Sequence, residues 1–104
     1  MDQELHNKAT AAAAAAANAQ YAKIGDCYPC GFAWVTVYGV KLSSRVGKEF
    51  AKAGFEKGYH GGIELWNPSK SPVQNVGIKA AGAEAYAVVL RAAGYDAHSF
   101  DRLD

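Results

Sequence analysis

The stretch Gly31-Phe32-Ala33-Trp34-Val35-Thr36-Val37-Tyr38 decides the fold. Strict two-residue alternation puts Phe32, Trp34, Thr36 and Tyr38 on one face of a strand and Ala33, Val35 and Val37 on the other. Both faces are rich in apolar groups, so the sheet that holds this strand needs cover on both sides. Three covers are available to the aromatic face: the first helix of the chain, a second copy, or a ligand.

Upstream, Gln3 to about Ala22 has strong intrinsic helix propensity, because alanine loses no side-chain entropy in a helix. At about 100° per residue Leu5, Ala9, Ala12, Ala13, Ala16 and Ala17 share one side, opposite Glu4, Asn7, Lys8 and Asn18. Such a face buries little area but lets a neighbour approach closely. Gly25 to Pro29 ends this helix.

Downstream, Ser43 or Ser44 offers an N-cap for a short helix ending near Ala53, where Gly54 suits the left-handed closing position and Phe55 can return onto Phe50. A second strand is expected over Ile63 to Trp66, stopped by Asn67-Pro68, with a polar loop over Pro68 to Gly77. A helix over Ile78 to Ala93, whose polar stripe holds Glu84 and Arg91, is expected to be the most buried. Gly94 closes it, and Asp96 to Phe100 suits a third strand.

The expected fold is therefore a single small α/β or α+β domain in the order α-β-α-β-α-β. Its three-stranded sheet has helices on both faces, the alanine-rich helix lying over Trp34, Tyr38 and Trp66. Residues 1–24 form that helix and its linker, and residues 25–104 form the core. A chain of 104 residues has room for one core.

The formal charge of +1 argues against a strongly basic or acidic function, so charge position matters more than charge sum. Asp2 and Glu4 stand where a signal peptide needs positive charge, and no run approaches the ~18 apolar residues of a membrane span. The expectation is a mature, cytoplasmic chain with no membrane partner.

Cys27 and Cys30 are too close together to staple the fold, and their C-x-x-C spacing suits metal or thiol chemistry only if further groups converge. His60, Glu64 and His98 are the available groups, giving an alternative reading as a small metal- or thiol-dependent enzyme built on Cys30, His60, Glu64 and His98. Against it, C-x-x-C precedes a strand here, no triad is complete, and no phosphate-loop fingerprint occurs. No cofactor and no metal is expected.

The favoured reading is a binding module. Lys41, Arg45, Lys48 and Lys52, spaced four, three and four apart, fall within about 60° of arc on one helix face. Lys57, the turn Tyr59-His60-Gly61-Gly62, and Trp66, Asn67 and Gln74 complete the expected binding set, with nucleic acid or protein as partner. The plain alternative is a solvated helix face. Trp34, Tyr38 and Trp66 would form a stacking platform if left open, and the alanine helix or the aromatic face could join two copies.

The phrases Cys-Gly-Phe-Ala-Trp-Val (Cys30 to Val35), Trp-Asn-Pro-Ser (Trp66 to Ser69), Ala-Gly-Ala-Glu-Ala (Ala81 to Ala85) and Arg-Leu-Asp (Arg102 to Asp104) resemble those of small uncharacterised tailed-bacteriophage proteins, marine ones included. The similarity spans about Cys30 to the end. It implies a phage-encoded accessory protein acting in the host cytoplasm and brings no catalytic residues.

Overall fold

The computed structural model describes residues 1–59 and 61–104, so His60 lies outside the described residues. Helix α1 (Gln3–Ile24) starts where the Asp2 carboxylate accepts from Leu5 N at 2.8 Å. Strand β1 (Gly31–Tyr38) leads to α2 (Arg45–Lys52), which is capped by Ser44. Strands β2 (Glu56–Lys57) and β3 (Ile63–Trp66), helix α3 (Val76–Ala92) and strand β4 (Asp96–Leu103) complete the chain. Gly54 and Gly94 take φ of 108° and 97° after α2 and α3, and Phe55 N and Tyr95 N reach back to Phe50 O and Leu90 O, each at 3.1 Å. Both helices thus end in the expected left-handed closure.

Among the described residues the sheet has four strands in the order β2-β3-β1-β4, and every pairing is antiparallel. From β1 onward the element order is β-α-β-β-α-β, the split βαβ (ferredoxin-like) arrangement, so the domain is α+β. Two expectations are corrected here. There are four strands rather than three, because Glu56 and Lys57 pair with Glu64 and Ile63, a two-residue strand too short for periodicity to reveal. The helices lie on one face of the sheet rather than on both.

The reason is the composition of α3. Ile78, Ala83, Tyr86, Ala87 and Leu90 are all fully buried, more apolar surface than the sheet alone can cover. One side of α3 meets Ala33, Val35, Val37 and Ala97 of the sheet, and α1 packs on the other. Ala9, Ala13 and Ala17, four residues apart, form the buried stripe of α1. Close approach is built in at Gly82, where a Cβ would lie 3.2 Å from Ala13 O and 2.7 Å from Ser69 Cβ. An alanine stripe opposite glycine gains more from this backbone contact than it would from the uneven relief of tryptophans.

Helix α2 completes the core through Phe50, whose ring meets Phe55 and Tyr95 edge-on at 5.0 and 5.1 Å. Val46 on α2 is 42% exposed. Gly47 is buried in its stead, since any Cβ there would overlap the Lys41 carbonyl.

At the α1–α3 seam the buried Tyr86 hydroxyl stands 2.8 Å from His6 Nδ1. Burial, and then the Lys70 ammonium, hold the His6 imidazole below its ordinary value of 6.5. Burial raises the Tyr86 phenol above its ordinary 10.0. The neutral form of each is thus the one the fold favours. For His6 the stabilisation is complete above pH 6.5 and is lost as pH falls from there towards the depressed folded value. For Tyr86 it is complete below pH 10.0 and is lost above it. Urea unfolding followed across pH is expected to show both losses, with His6→Gln flattening only the acid limb. An acid limb unchanged by that substitution would assign it to other groups.

Candidate functional site: the open aromatic sheet face

Because α1 sits on α3, the aromatic face is not covered within the chain, contrary to the expected burial beneath the first helix. Phe32, Tyr38, Trp66 and Phe100 are 38%, 37%, 41% and 39% exposed. The register explains the cluster. Trp34 on β1 is opposite Trp66 on β3 and Phe100 on β4, so three rings form one row across three strands. Phe100 was foreseen only as the end of a strand, and its place in the row depends on long-range pairing.

The rings in this row stand stacked against one another. Trp34 and Trp66 centroids are 4.6 Å apart at 20°, and Trp34 and Phe100 are 5.9 Å apart at 26°. Trp34 therefore spends both ring faces inside the row. Phe32 meets Trp66 edge-on at 6.1 Å, and the Arg102 guanidinium lies 5.4 and 5.7 Å from the Phe32 and Trp66 ring centres. The Trp66 indole N–H donates to Glu64 Oε1 at 2.9 Å. The result is a firm apolar ridge running across the strands.

Beside the ridge lies a hollow of about 500 Å³. Its floor is Thr36, whose small side chain stands between Trp34 and Tyr38 along β1. Tyr59, Gly61 and Glu64 add to its walls. Thr36 is flanked in register by Glu64 on β3 and His98 on β4, and His98 Nε2 is 2.6 Å from Asp96 Oδ1. The outer face thus has Arg102 towards one end and Glu56, Glu64 and Asp96 towards the other.

The other expected site residues are dispersed. Arg45, Lys48 and Lys52 are exposed along α2, on the helical side, while Lys41 precedes the helix and Lys57 lies on β2. Among the described residues none of these cations joins an ion pair. Asn67 and Gln74 lie at the opposite end of β1 from Tyr59. Asn67 N donates to Ala33 O and its Nδ2 to Ser71 O, while Gln74 N donates to Asp26 Oδ1. These contacts make the loop a structural connection, reinforced by Asn75, which accepts from Ile78 N and donates to Cys27 O.

Cys27 and Cys30 are free thiols at that same end. Cys30 precedes Thr36 by six positions on an extended chain, roughly 20 Å at the rise of a strand. Cys30 therefore does not meet Glu64 and His98, which flank Thr36. Among the described residues no group of three His, Cys, Asp or Glu side chains is arranged to hold a metal ion. Among the described residues no helix is long and apolar enough to cross a membrane. Compared with known proteins, the chain matches no family model, no curated protein and no solved structure.

Proposed function

We propose that this chain is a non-enzymatic binding module, an accessory protein of the tailed-phage type, whose recognition surface is the outer face of the sheet and whose partner is a protein. The observation that carries this reading is the uncovered row Trp66–Trp34–Phe100. An aromatic patch of this kind on an otherwise well-packed domain marks a contact surface.

Ring geometry and charge both favour protein over nucleic acid. A base needs an available ring face, and Trp34 has none left. Phosphates need a run of cations beside the rings, whereas Arg102 shares the aromatic face with three acids, Glu56, Glu64 and Asp96, and Arg45, Lys48 and Lys52 lie on the helical side. The basic stripe of α2 and the aromatic row are thus on opposite sides of the molecule.

The test replaces Phe100 with a photoreactive benzophenone amino acid and irradiates cells that naturally hold the protein. Protein adducts are expected. The same group at Val88, exposed on α3, is expected to give several-fold fewer. Adducts to nucleic acid, equal yields from the two positions, or no adduct at all would overturn the proposal.

A further inference from the structure

We infer that the occupant of the aromatic face is a second copy of this chain, joined as a two-fold dimer in which each ridge seats in the other's hollow. This rests on the reading of the face as a protein-contact surface and names the partner.

The relief is self-complementary. The ridge (Trp66, Trp34, Phe100) and the row containing the hollow's floor (Glu64, Thr36, His98) are adjacent rows crossing the same three strands in the same order. A two-fold axis lying in the interface, perpendicular to the strands and between these rows, preserves strand order and exchanges the rows. Trp34 of one copy then stands over Thr36 of the other, Trp66 over Glu64, and Phe100 over His98. One step outward, the same operation puts Phe32 over Tyr38 and Arg102 over Asp96.

The charges at the two ends agree with this register, Asp96 meeting Arg102 with the carboxylate oxygen that does not face His98. Among the described residues Arg102 has no carboxylate partner, and the operation brings it to Asp96 of the second copy. Two such pairs form, one at each end of the aromatic centre. An axis parallel to the strands would instead put like ends together, Arg102 near Arg102 and acid near acid. The three described helices lie on the far side, so among the described residues no helix obstructs sheet-on-sheet packing, which keeps strands within roughly 30° of one another. A single isologous interface of this kind closes after two subunits.

The interface is small. Two strands of eight residues and one of four cover on the order of 330 Å² in projection at ~4.8 Å between strands and ~3.4 Å per residue. Association is therefore expected in the micromolar range, and not as an obligate dimer.

Sedimentation equilibrium on the full chain over a range of concentrations tests the inference. Wild type is expected to shift from monomer to dimer. Asp96→Arg and Arg102→Asp should each weaken association at least tenfold, and the two together should restore most of it, with melting at concentrations below dimerisation changed little throughout. If either single variant folds poorly, Phe100→Glu supplies the break, and the charge-swapped double variant is expected to dimerise nearly as well as wild type. A wild type that stays monomeric at every soluble concentration, or a double variant no better than the singles, would overturn the dimer. A monomer that still gives benzophenone adducts to another protein defeats only this inference. A monomer that gives none defeats the binding-surface reading as well.

Discussion

Deleting residues 1–24 is expected to abolish cooperative unfolding, leaving a chain that aggregates or melts without a sharp transition. Helix α1 covers the outer side of α3, so its removal opens the fully buried Ala83, Tyr86 and Ala87 to water and strips the Tyr86 hydroxyl of His6. Losses at that seam are comparable with the whole stability of a small domain, about 5–15 kcal/mol. The tryptophans offer a control. Because α1 does not cover the aromatic face, a point change at the seam such as Ala13→Glu should destabilise the fold before it alters quenching of Trp66 by a small neutral quencher. A truncated protein that melts cooperatively at the wild-type temperature would show that α3 needs no cover.

Phe50→Ala is expected to cost about 3–5 kcal/mol in urea unfolding, at the upper end for a single core truncation. Phe50 is fully buried, and it joins α2 to the aromatic cluster of Phe55 and Tyr95. Helix α2 has eight residues, too few to persist without that anchor. The loss should therefore come with weakened amide protection across Arg45 to Lys52. Phe50→Leu, which keeps most of the volume, should cost well under half as much. A Phe50→Ala variant within about 1 kcal/mol of wild type would mean that α2 is held by other contacts.

The sequence by itself determined the elements whose cause is local. Alanine propensity and the Asp2 cap specify α1, and Ser44 with Gly54 and Phe55 specifies both ends of α2. Alternation specifies β1, and Asn67-Pro68 stops β3 where expected. Two-residue alternation also correctly named Phe32, Trp34, Thr36 and Tyr38 as sharing one face, and hence most of the candidate site. What only the tertiary structure decided is which surface covers which. The alanine stripe of α1 had two apolar partners open to it, and the choice of α3 turns on a close approach at Gly82 that no period in the sequence encodes. That choice leaves the tryptophans bare. It also needed long-range pairing to bring Phe100 and Arg102, more than sixty positions from Trp34 and Phe32, into the same rows. Periodicity reports how a segment divides its own faces, whereas the partner of each face depends on shape and backbone approach between segments distant along the chain.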